Sequence, residues 1–181
     1  MAALKRYLLL VLAFVACSTH QHQVDCFSRI SDRLSKIDVV NHDWHFLHPQ
    51  DVLRTGDLRV EPSAAGVVVV DNRDMSTNVH CTCCETYYFV ADGLNQIGVK
   101  GAFERQSDAS RALSRFVKAA SPSGRNPIVG GPIGDSMCQE ALDYQWDLDP
   151  AGEEVMHIHT ECHANDVGWS VFAWAKQSKT R

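Results

Sequence analysis

The first seventeen residues constrain the rest of the chain most, because they set the compartment in which it folds. Met1-Ala-Ala-Leu-Lys5-Arg6 supplies a basic start, and Tyr7 to Ala16 is an unbroken apolar run of ten residues. A basic start followed by a short apolar stretch is the pattern of a secretory signal. A helix that crosses a bilayer core needs about twenty apolar residues, so this run is too short to span. Export brings the chain to an oxidising compartment, where cysteines can pair. Of the seven cysteines, Cys17 closes the leader and six remain: Cys26, Cys81, Cys83, Cys84, Cys138 and Cys162. All six are disulfide candidates, and an even set in an exported domain reads as a covalent framework whose pairing the sequence leaves open.

The stretch Ala13-Phe14-Val15-Ala16-Cys17 resembles a bacterial lipobox, in which a small residue precedes a cysteine that is lipidated and becomes the mature N-terminus. The resemblance covers the leader alone. It implies a lipid on Cys17, and Ser18 after it resembles lipoproteins sorted to the outer membrane. Residues 18–23 are then a polar tether, and residues 24–181 a single domain facing the periplasm. The alternative is ordinary cleavage near Cys17 and a secreted soluble protein.

The leader carries two of the 17 basic residues and none of the 22 acidic ones, so the mature part has a formal charge of minus seven. Without a basic patch, such a domain repels nucleic acid and anionic lipid. The expected membrane attachment is therefore through the N-terminal lipid only, and nucleic acid is excluded as a partner.

Phe27, Ile30, Leu34 and Ile37 fall on one face of a helix, with Ser28, Arg29, Asp32, Arg33 and Lys36 largely on the other. Trp44 and Phe46 are expected core anchors, and Pro49 opens a single helical turn to Leu53. Leu58 and Val60 alternate with charges like an edge strand. Val67 to Val70 reads as a central strand buried on both faces, paired as a hairpin with a strand over Thr82 to Ala91. Ser107-Asp108 caps a helix through Ala120, and Ser136 with Gln139 predicts a capping box for a short helix through Trp146. Glu153 to Cys162 and Val167 to Lys176 read as two closing strands. The expected fold class is α+β, with a mainly antiparallel sheet of four to five strands and two to three helices.

Two constellations can carry chemistry. On a strand, His157, His159, Glu161 and His163 share one face, with Met156, Ile158, Thr160 and Cys162 on the other. Imidazoles and a carboxylate on one face can bind zinc or copper, although a solvated sheet face has the same pattern. His80-Cys81-Thr82-Cys83-Cys84 is dense enough in thiols for a soft metal. In an oxidising compartment, disulfides with remote cysteines are the expected use, and adjacent Cys83 and Cys84 point to opposite sides of a strand. On the last strand, period two separates Trp169 from Phe172 and Trp174, so one aromatic set can be exposed for an interface.

No nucleotide loop, zinc-protease helix or serine-nucleophile motif occurs, and no catalytic residue is assigned. The expected function is that of an exported, lipid-anchored envelope protein with no cofactor. It binds another protein without catalysis, as an inhibitor or immunity-type protein does. The alternatives are a periplasmic zinc or copper protein using the His157–His163 strand, and a small exported enzyme. In a bacterial host the chain is expected to incorporate labelled fatty acid and enter the detergent phase. Cys17→Ser abolishes both if the lipobox reading is right; a soluble protein starting at Ser18 or later removes that reading and leaves export intact.

Overall fold

The computed structural model describes residues 27–41, 43–61, 66–71, 83–90, 93–131, 137–138, 141–166 and 168–179. The leader, Cys17, the tether, Cys26, His80 and Cys81 lie outside these residues. Among the described residues, three helices pack on one face of a seven-stranded antiparallel sheet. The helices are α1 (27–36), α2 (Pro49–Leu53) and α3 (Gln106–Ala120), with a 3-10 turn at Trp44–Phe46. The strands are β1 (Arg59–Glu61), β2 (Val68–Asp71), β3 (Cys83–Val90), β4 (Gly93–Phe103), β5 (Leu142–Asp147), β6 (Glu154–Asn165) and β7 (Gly168–Lys179). Their spatial order is β1-β2-β3-β4-β7-β6-β5. Two meanders, β1–β4 and β5–β7, are thus joined through α3, and the last strand closes against β4 at the centre.

The α+β class and the antiparallel sheet agree with the sequence reading, but the strand count of four to five was low. β4 adds one strand: Leu94, Ile97, Val99 and Phe103 are buried, but Gly98, Gly101 and a bulge opposite Tyr88/Phe89 break the alternation. β5 replaces the helix expected through Trp146. Leu142, Tyr144 and Trp146 alternate inward against Thr160, Ile158 and Met156 of β6, and aromatic side chains favour a pleated surface. β2 is the second strand from the edge rather than central, and Val68 is exposed while Val70 is buried.

The edges are protected. β1 has three residues, two of them charged, and short charged edges resist pairing with another chain. Along β5, Gln145 exchanges backbone hydrogen bonds with Ile128 and Val129 at 2.7 and 3.0 Å. Gly168 has φ +143, and a Cβ there would lie 2.2 Å from the Phe103 carbonyl oxygen. Only glycine lets the β6–β7 turn press this closely on the end of β4.

The helices bury the other side of the pattern. Ala109, Ala112, Leu113, Phe116, Val117 and Ala120 of α3 are buried against a sheet surface that includes Ala173 and Ala175. Small side chains on both surfaces let helix and sheet approach closely. The helix begins after Arg105, not at the expected Ser107, because Arg105 is the extended residue whose carbonyl accepts from Asp108 and Ala109. Trp44 is buried as expected, but Phe46 is 72% exposed; the 3-10 turn points the two rings in different directions. Cys138 and Cys162 form a disulfide across 24 residues. It ties the turn that carries Met137, itself buried and accepting from Ser114 Oγ of α3, to the helix side of β6. Cys83 and Cys84 are also disulfide-bonded. Their side chains take opposite faces of β3, opposite Gly101 and Lys100.

Arg33 corrects the reading of α1. It lies a turn from both Ile30 and Ile37, at the margin of the apolar stripe, and is 4% exposed rather than solvated. Its Nε and Nη2 donate to the two oxygens of buried Glu85 on β3 at 3.2 and 3.0 Å. Nη2 also donates to Asp57 Oδ1 at 2.7 Å, and Nη1 donates to Gly56 O at 2.9 Å and to Thr55 Oγ1. Tyr87 OH donates to Glu85 Oε2 at 3.0 Å. Burial and the neighbouring Glu85 push the Tyr87 hydroxyl well above its ordinary range, so it remains a donor. Truncating one member of a buried pair strands the other charge, which costs about 3–5 kcal/mol. Glu85→Ala is therefore expected to lower the unfolding free energy measured by denaturant titration by that amount, and Arg33→Met with Glu85→Leu to recover most of it. Equal losses in the single and double variants would show that the pairing is not what holds the interface.

Candidate functional site

Because side chains alternate along a strand, the sheet has two faces of different chemistry. On β6, Met156, Ile158, Thr160 and Cys162 are buried toward the helices, and His157, His159, Glu161 and His163 point to the opposite face. On β7, Val171, Ala173 and Ala175 are buried, and Phe172 and Trp174 turn outward. Trp169, on the helix side, packs against the core. Cross-strand register assembles the outward set. Asp143 of β5 and Trp174 of β7 flank His159 on either side, and Phe172 stands opposite Glu161. Beyond them, Gly98 and Lys100 of β4 face Trp174 and Phe172, and Tyr88 of β3 faces Gln96. Among the described residues no helix covers this face.

His159 is clamped at its centre. Its Nδ1 lies 2.6 Å from Asp143 Oδ1, and its Nε2 lies 2.8 Å from Glu161 Oε1. The other oxygen of Glu161 lies 3.2 Å from His163 Nε2. Carboxylates only accept, so the imidazolium form of His159, in which both ring nitrogens donate, is the one that satisfies both contacts. Burial opposes that charge, but the hydrogen bonds to Glu161 and Asp143 outweigh it and hold His159 above the ordinary histidine range. In return His159, then His163, hold Glu161 below the usual carboxylate range. Trp174 completes the clamp: its ring stacks on His159 with centroids 5.6 Å apart and planes 23° off parallel. A cation over an indole face is attracted by the ring quadrupole.

The four residues read from the sequence as one face lie on one face, but only three meet. His159, Glu161 and His163 are linked, and among the described residues His157 takes no part. A general base needs a ring nitrogen facing its substrate, and here both nitrogens of His159 face carboxylates. A metal would have to displace a proton and a carboxylate from the ring. The arrangement is suited to holding a fixed cation on an aromatic platform.

The sequence reading missed two members. Asp143 was read as helical, although Asp143, Gln145 and Asp147 alternate with Leu142, Tyr144 and Trp146. The position of Trp174 beneath His159 follows from the β6–β7 register, which the hairpin turn sets. Compared with protein-family models, curated proteins and solved structures, the chain matches none.

The clamp predicts a definite pH response. His159 binds its proton more tightly folded than unfolded, so its contribution to stability is complete below about pH 6.5 and fades as pH rises through the higher folded value. Glu161 contributes fully above about pH 4.5 and less as pH falls through its lower folded value. NMR titration is expected to place the His159 midpoint above 6.5, and Asp143→Asn to lower it. A midpoint at or below 6.5 in the native chain means the clamp does not hold in solution.

Proposed function

We propose that the chain is an exported binding protein of the inhibitor or immunity type, which takes a protein partner on the open face of its sheet. One observation carries this reading. Phe172, 39% exposed, and the half-buried Trp174 lie beside the clamped His159, Tyr88, 37% exposed, stands on the same face two strands away, and no described helix lies over them. Aromatic residues around a desolvated, hydrogen-bonded charge are the composition of an interface hot spot. The acidic balance of the mature part favours a basic protein, since opposite net charge speeds encounter. Lipidation at Cys17 belongs to the same proposal and tethers the domain in the envelope, facing the periplasm. Zinc or copper on the His157–His163 strand and a small exported enzyme find less support, because both ring nitrogens of His159 are engaged.

A photo-crosslinking residue at Phe172 in the full-length chain, expressed in a bacterial host, tests the surface. We expect a discrete protein adduct from this position and none from the same label at Lys118, on the exposed side of α3. Loss of a hot-spot aromatic costs about 2 kcal/mol or more, so Trp174→Ala is expected to cut the adduct roughly thirtyfold. An adduct of equal yield from Lys118, or one undiminished by Trp174→Ala, overturns the proposal.

A further inference from the structure

On the helix side of the sheet, at the end away from the β6–β7 turn, a second cluster of metal-ligating groups forms from residues far apart in sequence. Asp43, His45 and Glu154 each offer one ligand atom, and these three atoms lie within 4.8 Å of one another. We propose that they bind a single divalent transition-metal ion such as zinc or manganese, with water in the remaining positions.

The position of each ligand is set by structure that does not depend on a metal. Asp43 caps the 3-10 turn, its Oδ1 accepting from His45 N at 2.9 Å, which leaves Oδ2 for a ligand. The turn itself is held from both sides. Trp44 is buried, its indole Nε1 donates to Val39 O at 2.9 Å, and its backbone N donates to Gln177 Oε1 at 2.8 Å. Gly93, with φ +105, lets the start of β4 press on the same turn: a Cβ there would lie 2.4 Å from His45 O. Glu154 opens β6, and its Oε1 accepts from Gln177 Nε2 at 2.8 Å, which leaves Oε2. Buried Gln177 therefore holds the turn with one end of its amide and Glu154 with the other. Such outer hydrogen bonds orient metal ligands and fix their separation.

Charge supplies a separate argument. Among the described residues, neither Asp43 nor Glu154 pairs with a lysine or arginine. Two half-buried carboxylates thus converge on one histidine; Lys179 stands opposite Glu154 in the β6–β7 register but makes no ion pair with it, and a divalent cation between the carboxylates would offset their charge. Two carboxylate oxygens and an imidazole nitrogen suit borderline divalent ions. All three side chains are part-exposed, so an ion can enter and keep bound water.

The test is titration of the full-length chain with zinc chloride and, separately, manganese chloride, followed by calorimetry and by thermal melting. We expect one equivalent to bind at this site and to raise the melting temperature. His45→Gln and Glu154→Gln should each weaken binding at least tenfold and remove the thermal shift. His45→Gln carries the main weight, because Glu154→Gln alters the hydrogen bond to Gln177. A variant with His157→Ala and His159→Ala together should bind as wild type does, and so should one with His20→Ala and His22→Ala. No binding of either metal, or His45→Gln binding as tightly as wild type, overturns the proposal. So does loss of binding only in the His157/His159 or His20/His22 variants. A failure of His45→Gln or Glu154→Gln to weaken binding leaves the proposed protein-binding surface untouched, because that surface lies on the opposite face of the sheet, whereas loss only in the His157/His159 variant would count against that surface as well.

Discussion

Arg33 brings a full charge into the space between α1 and the sheet, and the arrangement of that side of the molecule follows from how the charge is met. A buried guanidinium needs an acceptor for each of its donors. These come from Glu85 of β3 and from Thr55, Gly56 and Asp57 in the turn after α2. Helix, sheet and turn are therefore locked in one register. Rotating α1, or sliding it by a turn, would leave Glu85 buried without its counter-charge, at a cost of several kcal/mol. The net stabilisation from such a pair is small, because desolvation offsets most of the attraction. Its effect is on geometry. With α1 placed, Phe27 packs on Phe103 of β4 at 5.5 Å, and Arg115 of α3 donates to Ser28.

That geometry divides the sheet into two working surfaces. The helix side is an apolar core interrupted by the Arg33–Glu85 pair and bounded at one end by Gln177 and the Trp44 turn. The other side carries polar and aromatic groups in rows set by strand register, with His159 at the crossing point of Asp143, Glu161 and Trp174. The proposed protein-binding surface and the proposed metal site lie on opposite faces, with the sheet between them.

Much of this was legible in the sequence, wherever a local pattern decides the outcome. The apolar spacing of α1 and α3, the alternation of β6 and β7 and the Pro49 turn could all be read from short windows. So could the shared face of His157, His159, Glu161 and His163. The parts that failed are those where a local signal competed with a tertiary one. Gly98 and Gly101 concealed β4; at 101 the glycine makes room for the Phe27 ring, since a Cβ would lie 2.8 Å from it. A capping-box pattern suggested a helix where β6 offered Leu142 to Asp147 an open edge. Phe46 seemed as much a core residue as Trp44, until the turn sent its ring into solvent.

The sequence by itself determined the periodicities and the residue types on each face, because side-chain direction repeats every two residues in a strand and every 3.6 in a helix. It also determined that cysteines would be available to staple the fold. Only the tertiary structure decided which faces meet. It put Arg33 against Glu85 and Cys138 against Cys162, set Asp143 and Trp174 around His159, and drew Asp43, His45 and Glu154 together across more than a hundred residues. The reason is physical. A side chain's direction is fixed by its own backbone, but its partner is chosen by the register between elements, and register is set by the packing of the whole.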